Sequence, residues 1–296
     1  MDAPTNPGIY SKPVTELIQR RFSCRDYLPQ PVDPQRQQLL QSFAGRLNAG
    51  PFNRSARFQL LAASEEDTTA LKGLGTYGTI RNPTGFLAGV IHKGALDLEA
   101  YGYLLEQYIL YATSLDLGTC WLGGAFRRSA FALALAPEAD EHMPAVASVG
   151  LIGDLNKARN ALERRMVRAD SRLPWEQLFF DGRFGAPLSR VAAGAYAVPL
   201  EMVRLAPSAH NKQPWRILSD EAGWHFYLQR TPDLTIQLTS RIMKIADLQR
   251  LDMGIALCHF ELTARELGLA GRWVICEPQA DRALPRMEYT ISWLPV

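Results

Sequence analysis

Residues 98–117 put Leu, Tyr and Ala on nearly every face of a helix. A helix that is apolar all round has to be enclosed by the rest of the chain. Gly118 offers it a natural stop. Residues 248–267 read as a second long helix, stopped by Gly268 in the same way. Whatever this chain folds into must bury the first of these rods.

The segments around each rod follow one order: helix, loop, strand, long helix, strand. In the first half, helices are expected at 13–21 and after Asp33-Pro34, a capping residue with proline at the first helical position. The latter helix should end near residues 48–50. Strands are expected at 57–63, 86–92 and 144–153, with a short helix at 65–72 and a further helix at 125–134. In the second half, a helix at 193–205 precedes strands at 216–218 and 224–228, and strands at 272–276 and 287–293 follow the long helix. The rod ends resemble each other, YATSLDLG in one and ELTARELG in the other. The order reads as an internal duplication of one α+β unit, with a pseudo-twofold pair as its outcome. The expected division is residues 1–180 and 181–296, with residues 155–181 as a connector. Central, mostly antiparallel sheets flanked by helices are the expected architecture.

Composition narrows the function classes. With 47% hydrophobic and 21% charged residues the chain is ordinary globular material. A net charge of +2 gives no field that selects nucleic acid or an anionic membrane. The four cysteines are scattered without metal-ligand spacing, and no metal site is expected. No apolar run reaches membrane-spanning length. The opening residues lack a basic stretch followed by an apolar one, so a soluble cytoplasmic protein is expected. Gly73 to Gly78 fit G-x-G-x-x-G, but the stretch follows a helix and precedes a strand, the reverse of a dinucleotide fingerprint. A flexible loop explains it better. Asn53-Arg54-Ser55 fits a glycosylation acceptor, which means nothing without a secretory signal.

Three stretches carry chemistry. In Arg21-Phe22-Ser23-Cys24-Arg25, alternate residues of an extended segment share a side. Two guanidiniums and a hydroxyl in a row suit a phosphate, although taken alone a solvated basic strand explains the row better. Trp121-Leu122-Gly123-Gly124 pairs an aromatic with two glycines that let a backbone approach a ligand closely; a plain turn with a packed Trp explains it about as well. Ala206 to Arg216 combines Pro207, Ser208, Asn211 and Gln213 with Trp215, too polar for core and too aromatic for an idle surface loop.

Together, R-x-S-x-R, L-G-x-x-W-x-G-G after a long buried helix, and A-P-S-x-x-N-x-Q-P-W-R resemble the FMN-dependent nitroreductase family. The chain resembles a fused nitroreductase dimer, like the family's TM1586-type subgroup. The resemblance covers most of residues 14–180 and, as an eroded copy, 195–293. It implies a nitroreductase-like fold in which Arg21, Ser23 and Arg25 hold the ribityl phosphate and pyrimidine edge, with Arg172 adding a phosphate contact. Gly123 and Gly124 would offer backbone N–H groups, and Pro207, Ser208 and Asn211 would cover the ring from the second half. Gln213 and Trp215 would brace that loop, and His210 would pack or face solvent. Asp170 stands where relatives often carry a basic residue, which implies weaker phosphate binding. No side chain is implied as a general acid or base. The implied activity is ping-pong hydride transfer from NAD(P)H through FMN to a planar acceptor such as a nitroaromatic or quinone. A flavin-binding protein without turnover, for storage or sensing, and a descendant that no longer binds FMN stay open.

Each motif occurs once. The first half has only Asn53 at the place of the P-S-x-x-N loop, and the second half has no R-x-S-x-R, with Gly271-Arg272-Trp273 in place of the glycine turn. One composite site per chain is therefore expected, and a single chain as its own pseudo-dimer.

Overall fold

A computed structural model describes residues 9–47, 51–64, 71, 74–124, 126–159, 162–166, 168–231, 245–279 and 285–296. Its first half carries α1 (Val14–Arg20), α2 (Pro34–Ala44), β1 (Ala56–Ala62), β2 (Gly85–His92), α3 (Asp97–Ser114), β3 (Leu117–Leu122), α4 (Arg128–Leu135), β4 (Glu141–His142) and β5 (Val146–Leu151). The connector forms α5 (Leu155–Arg159), α6 (Leu162–Met166) and β6 (Phe179–Asp181). Then come α7 (Arg190–Ala193), α8 (Ala197–Leu205), β7 (Trp215–Ser219), β8 (Trp224–Gln229), α9 (Leu248–Glu266), β9 (Gly271–Val274) and β10 (Met287–Pro295). The expected helix at 65–72 and the expected end of α2 at 48–50 lie outside the described residues, Leu71 apart.

The two halves repeat one topology. The first sheet runs β1-β2-β5-β3, with β4 pairing β2, and all its pairings are antiparallel. The second runs β6-β7-β8-β10-β9. Leaving β4 and β6 aside, each unit is two strands, a long helix, then two strands placed in reverse order. The expected division at 180/181 falls inside β6, which pairs parallel with β7. The tail of the first half thus lies at the edge of the second half's sheet.

α3 and α9 form the axis of the molecule. Every residue of α3 except Gln107 is buried. The helices cross at two glycines. A Cβ on Gly102 would strike the Leu251 carbonyl, and one on Gly254 would strike the Glu99 carbonyl. Only glycine admits backbones this close. The contact is reciprocal: Gly254 follows Gly102, and Leu251 follows Glu99, by the same 152 residues. One hydrophobic cluster runs through both halves, from Leu104 and Tyr108 to Trp215, Phe226 and Phe260.

Two expectations about the rod ends are corrected. The first rod stops at Ser114, and residues 117–122, expected to complete the helix and open a turn, are β3. The C-caps are Leu115 and Leu267, and left-handed residues follow them: Asp116 at φ 60° and Gly268 at φ 72°. Gly268 therefore corresponds to Asp116, not to Gly118, which lies within β3 against Cys24. An Asp in the left-handed region is uncommon enough that the glycine two residues on looked like the better stop. The helix expected at 193–205 is likewise broken at Gly194, whose φ is 53°.

Candidate functional site

The sequence-predicted residues meet. Arg21, Ser23, Arg25, Gly123, Gly124, Arg172, Pro207, Ser208 and Asn211 all line one cavity of about 960 Å³ between the two halves. That volume is at the upper end of the range for small-molecule sites.

The row at 21–25 is placed by pairing. Ser23 bridges Thr119 of β3 in parallel, and Cys24 N–H donates to the Thr119 carbonyl at 2.8 Å. The segment is extended, with Cys24 fully buried and Arg21, Ser23 and Arg25 on the cavity. α1 leads into it. The Val14 N–H and the Thr15 hydroxyl, at the start of α1, donate to Glu266 of α9. A carboxylate at a helix N-terminus is favourable, and here it ties the lead-in helix to the other half.

The guanidiniums have more donors than acceptors. Nε and Nη1 of Arg21, Nη1 of Arg25 and Nε of Arg172 are buried without a hydrogen-bond partner among the described residues. Arg21 Nε lies 3.7 Å from the buried Glu106, too far to bond. Burial, followed by the charge of Arg21, pulls the Arg172 guanidinium down to about 10. Burial likewise lowers the Arg164 guanidinium against the pull of its partner Asp170. Buried cations and open N–H groups around a cavity fit an anionic group with several acceptor oxygens, as a phosphate has. Asp170, expected to weaken phosphate binding, is engaged with Arg164, a cavity-lining cation from the 155–181 connector.

The loop from the second half is held in place by its own side chains. Ser208 Oγ accepts from Gln213 N–H at 2.8 Å, and the Gln213 side chain accepts from Leu173 N–H at 2.9 Å. Asn211 Nδ2 donates to the carbonyls of Arg168 and Ser171 at 2.7 and 3.0 Å, and Arg172 Nη1 approaches its Oδ1 at 3.5 Å. Gln213 braces the loop as expected. Asn211, expected to cover a ligand, also fastens the connector that carries Arg172. His210 and Asn211 take left-handed backbone at φ 50° and 55°. Phe52 and Asn53 do the same at 76° and 51°. Of the loop's motif side chains the first half carries only Asn53, yet its backbone turns in the same way.

The glycine turn has a packing reason. A Cβ on Gly123 would lie 2.5 Å from Leu248 Cδ2, and one on Gly124 2.8 Å from Ile245 Cδ1. Both neighbours come from the second half and line the cavity. Trp121 is locked beside them: its Nε1–H donates to Glu106 at 2.7 Å, and His259 Nε2 lies 3.0 Å from the other Glu106 oxygen.

Some of the lining was not foreseen. Tyr77, from the 73–78 stretch that mimics a dinucleotide fingerprint, and Thr79 just after it border the cavity; Gly73 lies outside the described residues. Leu248, Leu251, Asp252 and Ile255 give it a helical wall. Their i, i+3, i+4, i+7 spacing was the signal that could have found them.

A family model described as Putative TM nitroreductase matches residues 13–264. Among solved structures, the TM1586 protein of Thermotoga maritima is 20% identical, with 96% of this chain and 94% of that one covered at a TM-score of 0.59. A nitroreductase family protein of Clostridium difficile is 16% identical, over 54% of this chain and 92% of that one, at 0.41. An oxidoreductase described as containing FMN is 18% identical, over 63% and 100%, at 0.47. No curated protein matches the chain.

Proposed function

The chain belongs to the TM1586-type nitroreductase family, and from that premise we propose that it is an FMN-dependent oxidoreductase that passes a hydride from NAD(P)H to a planar acceptor such as a nitroaromatic or quinone. The observation that carries this reading is the set of buried N–H groups on Arg21, Arg25 and Arg172 around one cavity that find no partner among the described residues. They fit a phosphate, and the cavity beside them has room for a flat ring system.

The chemistry FMN supplies when bound is two-electron hydride exchange. The residues of this chain hold and enclose it. Arg21, Arg25 and Arg172 would take the phosphate, and Ser23 would add a hydroxyl donor. The Gly123-Gly124 backbone and the fixed Trp121 would form one wall. Pro207, Ser208 and Asn211 would form the opposite one, backed by Leu248, Leu251 and Ile255. Because both walls belong to one chain, no second subunit is needed to complete the site.

The test is a visible spectrum with flavin quantification, followed by anaerobic addition of NADH or NADPH. The expected result is a yellow protein that bleaches and regains colour with a quinone or nitroaromatic. Bound flavin that NAD(P)H fails to bleach would favour storage or sensing. A colourless protein that takes up no FMN would mark a descendant that has lost the cofactor.

A further inference from the structure

The cavity wall formed by α9 contains one acid. Leu248, Leu251, Asp252 and Ile255 share a helix face, and Asp252 is the polar member of an otherwise apolar stripe. Its side chain is almost completely buried, 3% exposed, yet it borders the cavity. Among the described residues both carboxyl oxygens face a single donor, the Ala209 N–H, at 2.9 and 3.1 Å. Ala209 belongs to the loop that lies against α9.

One N–H cannot satisfy a buried carboxylate. Burial holds the Asp252 carboxyl well above the usual carboxylate range, the Ala209 N–H opposes this, and the like charge of Asp247 adds to it. Neighbouring charges are committed elsewhere. Arg250, two residues before it, pairs with Glu99 and Asp97 of α3. Arg164 pairs with Asp170, and Arg172 bonds the carbonyls of Ala169 and Leu205. Arg21 and Arg25 also border the cavity, as does His210 on the loop. A neutral carboxyl at Asp252 has one oxygen for Ala209 N–H and an O–H to offer the cavity.

We propose that Asp252 is the proton donor of this cavity, delivering to a two-electron acceptor the proton that must accompany the hydride. The inference rests on the oxidoreductase reading above. With a quinone, NAD(P)H supplies the hydride and becomes NAD(P)⁺. The Asp252 O–H bond breaks as a quinone oxygen gains its hydrogen, and the hydroquinone leaves. The carboxylate is then reprotonated from water. Ferricyanide takes electrons without a proton and makes no use of the donor.

The experiment compares wild type with Asp252→Asn, which keeps an acceptor for Ala209 N–H and has no proton to transfer. The ratio of quinone to ferricyanide turnover is expected to fall about 10²-fold, a general acid's usual contribution. An independent reading is thermal stability against pH without substrate. A carboxyl whose pKa is raised on folding costs nothing below the unfolded value of about 4 and a growing amount as pH rises above it. Asp252→Asn removes that cost, so its melting temperature should exceed wild type at pH 7, with the gap closing toward pH 4. A quinone-to-ferricyanide ratio and pH profile equal to wild type, or a melting gap independent of pH, would overturn the proposal. If the variant does not fold, the wild-type solvent isotope effect decides: expected with quinone and absent with ferricyanide, it overturns the proposal if equal for both. Wild type that NAD(P)H does not bleach removes the oxidoreductase reading and this inference together; bleaching with an unaltered Asp252→Asn removes this inference alone.

Discussion

Arg25 and Asn211 border the same cavity from opposite halves and are held there differently. Arg25 has a buried Nη1 with no hydrogen-bond partner among the described residues. Losing it should cost roughly 1.5–3 kcal/mol of FMN binding, about ten- to a hundredfold in Kd. Asn211 spends its amide on connector carbonyls and approaches Arg172. Asn211→Ala should therefore weaken FMN as well, by releasing the segment that carries Arg172. A fluorescence titration with FMN measures both, and an Asn211→Ala variant that binds like wild type would remove the second half from the site. The row at 21–25 was legible because an extended strand has a period of two and shows its faces in sequence. Arg164 was not, because its pairing with Asp170 and its place over Phe22 depend on how the connector turns. Asp252 was visible only as an acid on an apolar stripe, a pattern whose meaning waits on what faces it.

At the scale of elements, the crossing of α3 and α9 sets how closely the two long helices approach. Gly102 has the partner's carbonyl where a Cβ would go, and backbone cannot swing aside as a side chain can. Gly102→Ala should destabilise the protein by about 1–3 kcal/mol, the usual cost of overpacking, and Gly254→Ala should do the same. Denaturant titration measures the cost, and an unchanged midpoint for both would show that the helices part freely. Gly123→Ala meets only the Leu248 side chain and should be milder. The first long helix was legible from its all-round apolarity and the second from the repeated order of elements, and their ends were not. Asp116 takes the left-handed cap that Gly268 takes in the other half, and a sequence gives no reason to prefer an Asp there with Gly118 two residues away. β3 was hidden for the same reason, since its residues continue the apolar run.

For the whole molecule, the repeat predicts a second site that cannot assemble. Trp273 follows Trp121 by the same 152 residues as Gly254 follows Gly102, which puts Ile275 and Cys276 where Gly123 and Gly124 would be. Arg265 and Trp273 both turn inward to Glu261 there. No R-x-S-x-R precedes the second unit, and the first unit's turn at Phe52-Asn53 lacks the Pro-Ser pair. One FMN per chain is the expected stoichiometry, read from flavin absorbance against protein concentration; two per chain would refute the composite site. The amino-acid sequence by itself determined the two buried rods, the repeated order of elements and three motifs, because periodicity and turn chemistry are local. Only the tertiary structure decided that Arg25 and Asn211 share a cavity, that two glycines let the long helices cross, and that an acid on α9 borders that cavity. Those facts depend on which long-range surfaces pack together, and a local pattern carries no record of its distant partner.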